Sequence, residues 1–145
     1  INRVLRLNHR YEIIFTSGAT ESNNMALKGV AYRKRENANE IITSVLEHPS
    51  VLEVMRYLEA KQGFKLKYVN VTENGKVDVD HLKSIMTDKV GLVTCMYVNN
   101  VMGQIQPIKE IGSLLKQYPK DLGIFRVLQI VFLLFVLVWG REKNA

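Results

Sequence analysis

Apolar runs of strand length and amphipathic stretches of helix length take turns along nearly the whole chain. A polypeptide built this way pairs its strands in parallel and lays helices over the sheet faces. Glu12 to Thr16 reads as a short apolar strand, and Ser17-Gly18-Ala19-Thr20-Glu21 opens a helix with an acidic residue in its first turn. Along that helix Ala26, Leu27, Val30 and Ala31 share one face, leaving Lys28, Arg33 and Lys34 to water. Ile41 to Ser44 is a second strand, followed by a loop carrying Glu47 and His48. Pro49 takes the first helical position, where its missing N–H costs nothing. This helix runs to about Gln62, with Val51, Leu52, Met55 and Leu58 as its predicted buried stripe and Gly63 as its stop. Lys65 to Val71 is the third strand, Asn74-Gly75 a turn, and Val79 to Met86 a short helix. Gly91 to Val98 has the continuous apolar character of a strand covered on both faces, and Ile108, Ile111 and Leu115 repeat at helical spacing after Pro107. The pattern predicts a three-layer α/β fold with a parallel sheet and right-handed crossovers.

Composition narrows the function classes. The 145 residues are 47% hydrophobic and 23% charged, which allows one domain and excludes a disordered chain. The single cysteine, Cys95, excludes a disulfide framework and points to a reducing compartment, the cytoplasm by default. The net charge is +6, but the densest basic run, Arg33-Lys34-Arg35, ends a helix and has no interleaved aromatics, so it reads as a solvated face and not a nucleic-acid patch. Residues 1–6, Ile-Asn-Arg-Val-Leu-Arg, carry neither an initiator Met nor the apolar core of a secretory signal, and the chain reads as a piece of something longer.

In a parallel open sheet, ligands bind beyond the carboxyl ends of the strands. Three loops there carry usable chemistry. Thr16 to Thr20 puts a small backbone and hydroxyls at a helix start, which suits either a phosphate or a plain N-cap. His48 is able to titrate near neutrality, stack on a planar ligand, pair with Glu47, or sit idle on the surface. Asn99-Asn100 offers an amide donor or simply a turn. Phosphate donors, a flat ring and an amide at one end of a sheet suit a phosphorylated planar cofactor, and pyridoxal phosphate has that form.

These residues resemble the N-terminal part of the large domain of cysteine desulfurases, the NifS/IscS-like branch of the class V aminotransferase family. The resemblance covers Glu12 to Gln117. It rests on Ile14-Phe15-Thr16-Ser17-Gly18-Ala19-Thr20-Glu21-Ser22-Asn23-Asn24, on Thr43-Ser44 with Glu47-His48, on Val98-Asn99-Asn100 and Gly103, and on Gln106-Pro107-Ile108. It implies a partial fold-type I large domain that binds pyridoxal 5'-phosphate. Ala19 and Thr20 would hold the phosphate, His48 would stack on the ring, and Asn100 would contact the ring oxygen and orient the substrate carboxylate. The implied reaction takes sulfur from L-cysteine, leaving L-alanine and a protein persulfide for iron–sulfur cluster assembly or tRNA thiolation. The implied assembly is a homodimer that meets a sulfur-acceptor protein.

Two departures qualify the resemblance. Most of the family reads Asn-Asn-Glu where this chain has Asn99-Asn100-Val101. After Tyr118 the family continues with a strand close to His-Val-Asp-Ala-x-Gln, whose Asp pairs with the pyridine nitrogen, whereas this chain reads Gly123-Ile124-Phe125-Arg126-Val127-Leu128-Gln129-Ile130. The cofactor-anchoring lysine and the persulfide cysteine fall later in the family and find no match here. Cys95 sits in a buried strand pattern, and Lys109 and Lys116 lie on the polar side of the last helix, so none takes a catalytic role. No catalytic residue or metal ligand is assigned, and turnover of cysteine by this chain is not expected. The expected division is residues 1–120 as partial large domain and 121–145 as a divergent apolar tail. A frame slip in the coding DNA explains that tail best, ahead of a buried element or a membrane span, because Arg126 and Gln129 interrupt a segment already short for a bilayer. The competing function is a non-catalytic α/β remnant with an anion-binding loop and a membrane-associated end.

Overall fold

The computed structural model describes residues 11–33, 38–118, 125–129 and 136–140. In chain order these form β1 (Tyr11–Phe15), α1 (Ala19–Ala31), β2 (Glu40–Ser44), α2 (Pro49–Gln62), β3 (Lys65–Val69), α3 (Val79–Ile85), β4 (Val90–Met96), α4 (Ile108–Leu115), β5 (Phe125–Gln129) and β6 (Val136–Gly140). Strands β3, β2, β4 and β5 lie side by side in that order, and every neighbouring pair is parallel. The expected α/β class and parallel sheet are both present.

The side-chain period of a strand explains the layers. In β2, Ile41 joins Leu27 and Val30 of α1, and Val51, Val54, Met55 and Leu58 of α2, with Leu92 from β4. Its neighbour Ile42 points the other way, into a cluster with Val93, Cys95, Leu82 of α3 and Ile111, Leu114 and Leu115 of α4. Helices α1 and α2 therefore cover one face, and α3 and α4 the other. Ile41, Ile42, Met55, Leu58 and Leu92 are fully buried, and each contributes roughly 1.5–3 kcal/mol relative to an exposed position.

Helix α2 starts at Pro49 and ends at Gln62, as its sequence predicts, with Gly63 adopting φ +73° at its end. One detail of its stripe differs: Val54 is buried in place of Leu52, which is only half-buried. Either residue satisfies helical spacing, and the choice is made by α1, which packs along the Val54 side. A larger difference concerns β1. It does not enter the parallel sheet but pairs antiparallel with β6, from Tyr11 opposite Gly140 to Phe15 opposite Val136. Period and composition identify a strand without naming its partner.

The described parts of the apolar tail are strands. Strand β5 continues the parallel sheet, with Leu92 opposite Phe125 and Met96 opposite Gln129. Among the described residues no helix is long and apolar enough to cross a membrane. Of the basic run, Arg33 is exposed and Lys34 and Arg35 lie outside the described residues. Lys109 and Lys116 are exposed, as expected.

Candidate functional site at the strand ends

Strand order reverses between β2 and β4: the chain leaves β2 toward one edge of the sheet and β4 toward the other. This is the place where an open α/β sheet leaves a crevice at its carboxyl end. The loops after β2 and β4 line it, and one hydrogen bond joins them: Asn99 Nδ2 donates to the Leu46 carbonyl at 3.2 Å.

Asn99 is buried and builds its own loop. Its Oδ1 accepts from the Val101 and Met102 N–H groups at 2.9 and 2.8 Å, and the Gly103 N–H closes onto the Asn99 carbonyl at 2.8 Å. Gly103 turns the chain with φ +68°, a conformation that glycine adopts without a Cβ penalty. Asn100 is left exposed at the tip. The Asn pair thus divides its labour, a turn-builder followed by a side chain facing solvent, where the sequence offered turn and ligand as alternatives for the pair.

The loop after β1 leads into α1. Gly18 is the N-cap in an extended conformation, and no side chain caps the helix. Ala19 and Thr20 are exposed in its first turn. The open N–H groups and the helix dipole favour an anion there. The loop is braced from behind by Thr16 Oγ1, which donates to the Gly18 carbonyl at 3.1 Å and lies 2.7 Å from the buried Ser22 hydroxyl. Glu21 reaches back to the Ser17 N–H and hydroxyl at 2.6 and 2.7 Å, and these bonds hold its carboxyl below the usual range.

His48 is not a free loop residue. It is the N-cap of α2, its Nδ1 accepting from the Ser50 N–H at 3.1 Å and lying 2.8 Å from Ser50 Oγ. Pro49 at the first helical position makes the residue before it the cap, a signal present in the sequence. Ser50 Oγ in turn accepts from Asn23 Nδ2 of α1 at 2.8 Å, tying the starts of the two helices together. Between them lies an open cleft of about 420 Å³ lined by residues including Thr20, Lys28, His48 and Ser50, with the Lys28 ammonium 4.8 Å from the centre of the Tyr57 ring. Thr20 and His48, chosen from sequence for different loops, share this cleft. Ala19 adjoins it in the chain, and Asn100 is not part of its wall.

The suggested pairing of His48 with Glu47 is not made. Nδ1 is taken by Ser50, and Glu47 turns inward, 4% exposed, with neither carboxyl oxygen hydrogen-bonded. Burial pushes its pKa up to about 7, only partly opposed by the nearby Met96 backbone. Sequence reasoning missed the burial of this carboxyl, because the backbone at the end of β4 that lies beside it comes far along the chain. Cys95 meets its expected role: it is buried, donates to the Met96 carbonyl at 3.3 Å, and has its thiol pushed up to about 12, first by burial and then by Glu47. A thiol so rarely ionised is a poor nucleophile.

The likeness to known proteins extends over most of the chain. The sequence profile of the family described as Aminotransferase class-V matches residues 1–123. A probable mitochondrial cysteine desulfurase of Dictyostelium discoideum is 54% identical over 106 residues, 73% of this chain and 23% of that protein. The cysteine desulfurase IscS of Clostridium botulinum is 48% identical over 106 residues, 73% of this chain and 26% of its own. Among solved structures, a NifS-like protein superposes with TM-score 0.78 at 38% identity, covering 86% of this chain and 34% of that one. A structure titled SspA in complex with cysteine gives TM-score 0.71 at 35% identity, over 81% and 33% of the two chains. The chain spans about a quarter of the length of the curated relatives it matches. It belongs to the class-V aminotransferase family, whose members depend on pyridoxal phosphate, and its matched relatives are cysteine desulfurases.

Proposed function

We propose that this chain carries the phosphate-and-ring half of the pyridoxal phosphate site of a cysteine desulfurase. The observation that carries the reading is that Thr20, in the uncapped first turn of α1, and His48, the cap of α2, line one cleft. The residues present fit the cofactor: open N–H groups and a hydroxyl suit a phosphate, and a half-buried imidazole anchored by its own helix suits stacking on a flat ring. Ala19 and Thr20 would bind the phosphate, His48 would cover the ring, and Asn100, exposed beyond the Asn99 turn, would reach the ring oxygen and the substrate carboxylate. When bound, pyridoxal phosphate supplies an electron sink for chemistry at an amino acid's α-carbon. The protein's share here is to bind and orient.

Relatives named cysteine desulfurases, and one solved structure titled as a complex with cysteine, support L-cysteine as the substrate. The products on this reading are L-alanine and a persulfide passed to an acceptor protein for iron–sulfur cluster assembly or tRNA thiolation, by a homodimer in a reducing compartment such as the cytoplasm. Residues 1–145 supply, on this reading, the cofactor's phosphate and ring contacts.

Titration of the chain with pyridoxal phosphate, followed by absorbance and His48-sensitive NMR shifts, tests the reading. Saturable binding weakened about tenfold by Thr20→Ala, the loss of one charge-assisted hydrogen bond, is the expected result. His48→Ala weakens it similarly. Absence of binding, or binding indifferent to both substitutions, overturns it.

A further inference from the structure

The bonds between α1 and α2 have a direction. The Asn23 amide nitrogen is only a donor, so Ser50 Oγ accepts from it at 2.8 Å, and its hydroxyl proton is free to point onward to His48 Nδ1, also 2.8 Å away. The Ser50 N–H donates to the same Nδ1 at 3.1 Å. A ring nitrogen facing two donors is the unprotonated one, so the neutral imidazole carries its proton on Nε2. The ring plane is fixed by the same two contacts.

From this geometry we propose that Asn23 and Ser50 are positioning residues that set the plane and tautomer of His48, presenting Nε2–H to whatever lies over the cleft. The proposal deepens the cofactor reading and rests on it for what the ring meets. The relay itself stands on the hydrogen bonds alone. Asn23 does not itself line the cleft, yet through its bond to Ser50 it decides which way the Ser50 hydroxyl points. Substituting Asp at Asn23 changes size little and reverses polarity: the carboxylate draws the Ser50 proton toward itself and away from Nδ1.

The test uses the full chain labelled with ¹⁵N, its three histidines distinguished by loss of one signal set in His48→Gln. Two-bond proton–nitrogen spectra near neutral pH should show His48 in the parent with bare Nδ1 and protonated Nε2. In Asn23→Asp and Ser50→Ala the signals should move toward the Nδ1-protonated form, and Ser50→Thr, which keeps the hydroxyl, should restore the parent pattern. As a second reading, Ser50→Ala, which adds no charge beside the helix start, should weaken pyridoxal phosphate about fivefold to tenfold, the worth of one lost hydrogen bond, while inorganic phosphate binds as in the parent. A parent His48 protonated on Nδ1, or ring signals unmoved in both variants, overturns the relay. So does cofactor affinity unchanged in Ser50→Ala, for a parent that binds it. A parent that binds no pyridoxal phosphate refutes the cofactor reading instead, and the ring signals still decide the relay.

Discussion

Glu47 carries a consequence that one substitution exposes. An unfolded carboxyl titrates near 4.5, and in the fold burial raises it to about 7. Between those values the native state holds a proton that the unfolded chain releases, so stability from this group is present at low pH and lost as pH rises through 7. The gap corresponds to about 3 kcal/mol once the pH is well above 7. Glu47→Gln, which keeps the shape and removes the charge, should unfold like the parent in urea at pH 4, below the unfolded carboxyl's own titration, and should be more stable by up to about 3 kcal/mol at pH 8. Equal stabilities at pH 8 would show the carboxylate to be solvated. At this scale the sequence was half legible. His48 and Thr20 stood out because their residue types suit a ring and a phosphate, and both line one cleft. The separate fates of Asn99 and Asn100 were not legible, since both amides suit a turn. Which one is buried depends on the Leu46 carbonyl reaching it from another loop.

Among elements, the ladder between β2 and β4 holds a polar pair in an apolar layer. Thr43 and Thr94 are both buried, and their hydroxyls lie 2.7 Å apart. Thr43→Val should cost about 1–3 kcal/mol by leaving the Thr94 hydroxyl without its partner, and Thr43→Val with Thr94→Val should cost less than the single change. Denaturant melts of the four proteins in the cycle measure this, and a double variant less stable than Thr43→Val alone would refute it. Helix α2 was the most readable element, because Pro49 and Gly63 mark its ends locally. The stripe of buried residues was less readable, and the partner of β1 was not readable at all. Both depend on what packs alongside, which helical period and apolar composition do not encode.

Across the whole molecule, the parallel sheet and its two helical layers follow from the alternation of elements, and so does the site's place at the carboxyl edge. The role of the tail does not follow. Arg126 and Gln129 argued against a membrane span, and the described backbone at those positions lies in β5, beside β4. The family's aspartate-bearing strand would follow α4 in the same way, so β5 continues the sheet there without that acid. The Asn23–Ser50 bond that orders the ring-facing residues closes a loop of 27 positions, while the Asn99–Leu46 bond closes 53 and the β1–β6 ladder joins nearly the two extremes of the chain. Closure entropy rises with loop length, so the helix pair is the least costly of these contacts to make. In pulsed hydrogen exchange during refolding, amides of α1 and α2 should gain protection before those of β1 and β6, and the reverse order would contradict this. A nascent chain would then hold its ring-facing residues in register while its far end is still being made, so that cofactor capture could begin on the ribosome.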